Sequence, residues 1–172
     1  MSASNAVVIR PAGFEDAEGI AALIREYPEE LLARPMSDIV QNIDRFLVHR
    51  HEGKVHGVVS WQILPEIGAP RRPSVEIKSL AVSAGQRGKG IGRALVETAI
   101  ERIRTLHPVQ IIALTFHPGF FATLGFKEVP KTQLMHKIYA GCINCTKYDS
   151  PFTCPEIAVS LELPLRPGPE EE

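Results

Sequence analysis

The stretch Leu80-Ala81-Val82-Ser83-Ala84-Gly85-Gln86-Arg87-Gly88-Lys89-Gly90-Ile91-Gly92-Arg93-Ala94-Leu95 decides the reading of this chain. An extended apolar run ends at Val82, and a loop follows with alternate glycines at 88, 90 and 92. That loop opens an amphipathic helix in which Ile91, Leu95, Ala99, Ile103 and Leu106 recur at helical spacing, ending before Pro108. The first amides of a helix have no intrahelical partner and sit at the positive end of its dipole, so they attract phosphate oxygens. Glycines let an anion approach the backbone with no Cβ in the way, and Arg87 and Lys89 add charge. The spacing is not that of a P-loop, because Ile91 rather than Lys-Ser/Thr follows Gly90. Nor is it the dinucleotide fingerprint, which needs a strand ending in an acidic residue about 20 positions on.

Working outward, Val75 to Val82 is the strand that feeds the loop, and Gln110 to Phe116 is a buried strand after the helix. Upstream, Val7 to Pro11 reads as a first strand ended by proline. Ile20, Leu23, Ile24 and Tyr27 mark a helix opened at Glu15-Asp16 and stopped by Pro28. A second helix, capped by Ser37 or Asp38, carries Ile39, Ile43 and Phe46 near the same period. Phe46 to His49 and Val55 to Trp61 form a hairpin about Glu52-Gly53-Lys54. A surface connection rich in proline and arginine, Pro65 to Pro73, follows. Downstream, Phe120 to Leu124 is a short helix with Gly125 at a left-handed cap, Phe126 to Val129 is a strand, and Glu156 to Leu163 is the last. This order predicts a mixed α/β domain over residues 1–163: a single central sheet with flanking helices. The tail 164–172, proline-rich and acidic, reads as disordered.

At 172 residues the chain suits one domain, and 19 basic against 20 acidic residues argue against a nucleic-acid binder, which needs a basic surface. No apolar run approaches the ~18–20 residues of a membrane span. The N-terminus lacks the basic and apolar regions of a signal peptide, which points to the cytoplasm.

Arg87-x-x-Gly90-x-Gly92 after a Leu-Ala-Val strand resembles the acetyl-CoA pyrophosphate loop of the GNAT superfamily of N-acetyltransferases, and the order of elements is also that superfamily's. The resemblance implies the acetyltransferase fold and acetyl-CoA as co-substrate. It implies cofactor contacts from Leu80, Ala81 and Val82, and from Arg87, Gly88, Lys89, Gly90, Ile91, Gly92 and Arg93. Three further stretches resemble the N-acetylglutamate synthases, and in particular short bacterial forms without the amino-acid-kinase domain. They are Leu31-Leu32-Ala33-Arg34-Pro35, then Val75-Glu76-Ile77-Lys78-Ser79-Leu80-Ala81-Val82, and Ala113-Leu114-Thr115-Phe116 through Phe120-Phe121-Ala122-Thr123-Leu124-Gly125-Phe126.

This narrower resemblance implies transfer of acetyl to the α-amine of an amino acid, L-glutamate foremost, the first step of arginine biosynthesis. Glu76 is the candidate general base, set against the ordinary reading of an exposed strand carboxylate. Thr115 and Ser79 are small polar groups that either hydrogen-bond the reactants or are satisfied strand hydroxyls. Leu32 and Arg34 lie in the implied acceptor region, and a guanidinium suits planar recognition of a carboxylate. Lys78 shares a strand face with Glu76 and either binds a substrate carboxylate or pairs with Glu76. Glutamate carries two carboxylates, and Lys78, Lys137 and Arg71-Arg72 compete to be the second anchor. Many superfamily members have a tyrosine as general acid where this chain has Phe121, so that role stays unassigned.

Cys142-x-x-Cys145 and Cys154, with His136 nearby, raise a metal question. A single C-x-x-C is weak evidence. Free thiols are the favoured reading, ahead of a redox disulfide, and no metal is assigned. The expected partners are a small amino acid and acetyl-CoA, and open sheet edges leave room for a homodimer. Two other functions fit the same loop: an acetyltransferase for a peptide, lysine or polyamine amine, and a non-catalytic acetyl-CoA sensor.

Overall fold

The structure is a computed structural model that describes residues 6–64, 73–134, 137, 141–142 and 145–164. Its strands form one mixed seven-stranded sheet in the order β1-β2-β3-β4-β5-β7-β6. They are β1 (Arg10–Pro11), β2 (Phe46–His51), β3 (Lys54–Leu64), β4 (Ser74–Val82), β5 (Gln110–Thr115), β6 (Lys127–Glu128) and β7 (Ile157–Glu162). The helices are α1 (Ala17–Arg25), α2 (Met36–Gln41), α3 (Ile91–Arg104) and α4 (Pro118–Ala122). β4 and β5 run parallel, with Val75 opposite Ile111 and Glu76 opposite Ile112, whereas β1-β2, β2-β3, β5-β7 and β6-β7 are antiparallel. The predicted mixed α/β architecture is therefore the observed one.

Described residues of 1–61 and 77–100 form one compact unit, and those of 62–76 and 101–172 form another. In the first, the apolar face of α1 (Ala17, Ile20, Ala21, Leu23, Ile24) buries with Ile39 of α2 and with Phe46, Val48, Val58 and Ala81 of the sheet. Each large aliphatic side chain so removed from water contributes roughly 1.5–3 kcal/mol. The β2-β3 hairpin turns on Glu52 and Gly53, whose φ angles of 48° and 77° make it the two-residue turn that matches strand twist. In the second unit, Leu64, Ile112, Leu134 and Ala158 form the buried cluster. A polar link ties three strands there: Gln110 donates to Ser74 Oγ (3.1 Å) and accepts from Ser160 Oγ (2.7 Å).

Several predicted boundaries move. The first strand shrinks from Val7–Pro11 to Arg10–Pro11, because the ladder with β2 holds only Arg10 opposite Val48 and Pro11 opposite Leu47, and Val8 is exposed. Phe46 fits the helical period but starts β2, where its ring is fully buried. The helix it was to extend ends at Gln41, followed by one tight turn at Ile43–Arg45. β3 continues past Trp61 to Leu64, and α3 stops at Arg104. The short helix starts two residues early, at Pro118, with Gly125 left-handed (φ 91°) as expected. The strand expected over 126–129 is only Lys127–Glu128. The proline–arginine connection (65–72), with Arg71 and Arg72, lies outside the described residues, as do His136, Tyr139 and the tail from residue 165.

Candidate active site

In the first unit β4 ends at Val82, the Ser83 amide donates to the His56 carbonyl (2.9 Å), and a tight turn at Ala84–Gln86 leads into the glycines. Gly88 and Gly90 have φ of 78° and 80°, in the left-handed region that side chains disfavour. A Cβ at either would meet nothing within 4 Å. The glycines thus serve the backbone turn and leave its outer face open, which is the cradle a diphosphate requires. Helix α3 follows, with Ala94 N–H donating to the Gly90 carbonyl (3.0 Å) and Ile91 buried as its anchor. The amides of its first turn have no helical partner. Arg87 stacks 4.8 Å over the Tyr27 ring, whose hydroxyl donates to the Val82 carbonyl. Lys89 donates to Gln86 (3.0 Å) and Arg93 pairs with Glu97 (2.8 Å). Ala81 is buried, whereas Leu80 and Val82 are half-buried.

Arg34 lies in the same unit, ahead of α2. Its Nε donates to Asp38 (2.6 Å), and its Nη1 to Ser60 Oγ (2.9 Å) and Ser79 Oγ (3.3 Å), while the guanidinium sits 4.7 Å over the Phe46 ring. Ser60 Oγ in turn donates to the Lys78 carbonyl (3.2 Å). The hydrogen bond from Arg34 holds the Asp38 carboxyl below the usual range, against the opposing effect of burial, and the charge of Lys78 adds to it. Arg34 and Ser79 are therefore brought into one cluster, and the charge of Lys78 acts on the same Asp38 carboxylate. Ser79 has φ 53° inside a strand, a strain of on the order of 1 kcal/mol. Leu32 is exposed, two residues from Arg34. Sequence reasoning missed Asp38 and Ser60 as members. Asp38 carried a signal in its i,i+4 spacing from Arg34, and Ser60 carried none.

The second unit holds Glu76 on β4, 4% exposed, and Lys137, 7% exposed, with Nζ 2.8 Å from Oε2. At that distance the two form a buried ion pair. Lys137, a candidate substrate anchor by sequence, is thus placed against Glu76. Burial pushes the Cys142 thiol up, opposed by Lys137 and reinforced by Glu76, Cys154 and Glu156. Burial likewise raises the Glu156 carboxyl, against the hydrogen bond from Cys154 at 3.6 Å. All three thiols are free, and among the described residues no three His, Cys, Asp or Glu side chains converge on a metal position. Thr115 is buried, and its Oγ1 accepts the His117 amide (2.9 Å) at the turn into α4. Phe121 is core, edge-on to Phe126. Among the described residues no helix is long and apolar enough to cross a membrane.

Comparison with known proteins places the chain among acetyltransferases. The model of the Acetyltransferase (GNAT) family matches residues 17–126. An uncharacterized N-acetyltransferase of Chlorobaculum tepidum is 34% identical over 88% of this chain and 93% of its own length. An amino-acid acetyltransferase of Mycobacterium tuberculosis is 29% identical over 83% of this chain and 79% of its own. Among solved structures, a Mycobacterium tuberculosis protein in complex with CoA superposes with a TM-score of 0.76 at 25% identity, covering 91% of this chain and 99% of that one. The N-acetylglutamate synthase of Neisseria gonorrhoeae, complexed with coenzyme A and N-acetyl-glutamate, superposes at 0.73 and 24% identity over 95% of this chain and 37% of its own.

Proposed function

The chain belongs to the acetyltransferase (GNAT) family, and from that premise we propose that it acetylates the α-amine of an amino acid, L-glutamate foremost, at the expense of acetyl-CoA. The observation that carries the acceptor reading is the cationic cluster in which the Arg34 guanidinium meets Asp38, Ser60 and Ser79 and the Lys78 charge acts on the same carboxylate. Two cations suit a dicarboxylate, whereas a polyamine would need an acidic pocket. The relatives named amino-acid acetyltransferase and the synthase solved with N-acetyl-glutamate support the same class. Formation of N-acetyl-L-glutamate would open arginine synthesis, with acetyl-CoA and the amino acid as partners in the cytoplasm.

Acetyl-CoA supplies an activated thioester, and the loop from Arg87 to Arg93 suits its diphosphate, with open glycine backbone and a helix N-terminus. Leu80, Ala81 and Val82 line the approach to that loop along β4. Arg34 and Lys78 hold the acceptor carboxylates, and Ser79 orients them. Glu76, directly or through water, takes a proton from the α-ammonium so that the neutral amine attacks. A C–N bond forms as the C–S bond breaks, and the departing thiolate takes up the second amine proton to leave as the CoA thiol. Thr115 contributes its hydroxyl proton as a donor, since its lone pair already accepts the His117 amide.

The test is release of free CoA thiol from acetyl-CoA across the twenty amino acids, spermidine and a lysine-containing peptide. Activity with glutamate, reduced about 10²–10⁴-fold in Glu76→Gln, is the expected result. Arg34→Ala should raise the acceptor KM about 10- to 150-fold, the worth of a charged hydrogen bond. Turnover of spermidine or the peptide, indifferent to Arg34→Ala, overturns the acceptor. Acetyl-CoA binding with no turnover at all indicates a sensor.

A further inference from the structure

We propose that Lys137 is a positioning residue for acetyl transfer: its buried ammonium fixes the orientation of the Glu76 carboxylate. The proposal rests on the reading of Glu76 as general base and names the group that makes a buried base workable.

A carboxylate 4% exposed has lost most of its water and needs a partner to hold it in place. Lys137 stands 2.8 Å from Oε2 and is itself buried, so the attraction is little screened. Among the described residues, Lys137, Cys142 and Glu156 are charged or titratable groups that interact with Glu76. Burial raises both the thiol and the second carboxyl, which favours their neutral forms, whereas Lys137 supplies the countercharge. Lys131 is occupied elsewhere, donating to the carbonyls of Pro151 and Cys154 at 3.1 and 2.6 Å. From β5, the residue opposite Glu76 is the apolar Ile112.

Direction matters as much as charge. At 2.8 Å from Oε2 the ammonium holds the carboxylate in one orientation. The chain makes room for this: Gly141 N–H donates to the Lys137 carbonyl (3.0 Å), and a Cβ at 141 would come within 3.1 Å of Nζ. Glycine there closes the turn over the ammonium without displacing it.

The test measures kcat and KM between pH 5.5 and 9.5 for the full chain, Lys137→Met, Lys137→Arg, Gly141→Ala and Glu76→Gln, on the acceptor the panel identifies. Lys137→Met should lose about 10²-fold or more in kcat with KM for both substrates nearly unchanged. Lys137→Arg should restore most of kcat. The double variant Glu76→Gln with Lys137→Met should be no slower than Glu76→Gln alone, because the two residues act as a unit. A wild-type kcat in Lys137→Met, or a rise confined to acceptor KM, overturns the proposal. If Lys137→Met does not fold, Gly141→Ala decides: both charges remain while Nζ is crowded, and a kcat equal to wild type overturns it. Glu76→Gln separates the two claims, since full activity there refutes the base itself. Absence of turnover by the unmodified protein refutes acetyl transfer and this proposal with it.

Discussion

Replacing Asp16 by asparagine should destabilise the first unit by about 3 kcal/mol, and the geometry shows why. The Asp16 side chain is fully buried and receives four donors. Arg10 reaches both oxygens (2.8 and 2.9 Å), the Gly13 amide reaches Oδ2 (2.8 Å), and Arg50 reaches Oδ1 (2.6 Å). In Asp16→Asn an NH2 group replaces one oxygen and meets two donors whichever way the amide turns. Two charge-assisted bonds at about 1.5–3 kcal/mol each are lost. The guanidiniums, 38% and 31% exposed, regain some water, which brings the sum to the low end of the ~3–5 kcal/mol of a broken buried pair. Urea unfolding should then shift its midpoint down by about 1.5 M at an m of roughly 2 kcal/mol/M. Tm should fall by about 6–12 °C. The sign with pH is also determined. Burial would raise the Asp16 carboxyl, but the hydrogen bonds from Arg10, the Gly13 amide and Arg50 outweigh it and hold the group below its ordinary range. A depressed carboxyl contributes fully above its unfolded value of about 3.9 and loses that contribution as pH falls through the folded one. The gap between wild type and Asp16→Asn should therefore be widest at neutral pH and narrow progressively as pH falls below about 3.9. A gap under about 1 kcal/mol at pH 7, or one that widens on acidification, would refute the reasoning.

Gly57→Ala should cost about 1–3 kcal/mol by overpacking, since its Cβ would lie 2.7 Å from Ile91 and 3.0 Å from Leu95. Ile91 opens α3, so the Kd for acetyl-CoA should also weaken, measured by titration calorimetry alongside a thermal melt. Glu52→Asn should stabilise by about 0.5 kcal/mol, because asparagine tolerates the left-handed φ of 48° better than glutamate, and a Tm raised by about 1–2 °C with unchanged activity checks it.

What could be read locally was read well. The glycine loop declares itself by spacing, α1 by the repeat of Ile20, Leu23 and Ile24, and the hairpin by Glu52-Gly53 between apolar runs. Phe46 shows the limit: it satisfies a helical period and a strand pattern at once, and only the ladder opposite Ser60 selects the strand. The terminal strand is a similar case. Its apolar content marks it, but its place between β5 and β6 is set by pairing with residues far away in sequence.

By itself the amino-acid sequence determined the class of fold, the phosphate-type loop and the candidate base, since these depend on residue types at short, regular intervals along one strand, turn or helix. Tertiary structure decided which charges meet. Nothing near Lys137 in sequence announces Glu76, and nothing near Asp16 announces Arg50; Arg34 finds Ser60 and Ser79 only once β3 and β4 lie beside the segment ahead of α2. Periodicity is a local property, whereas the partner of a buried charge is chosen by desolvation across the folded chain, where an unpaired ion costs most.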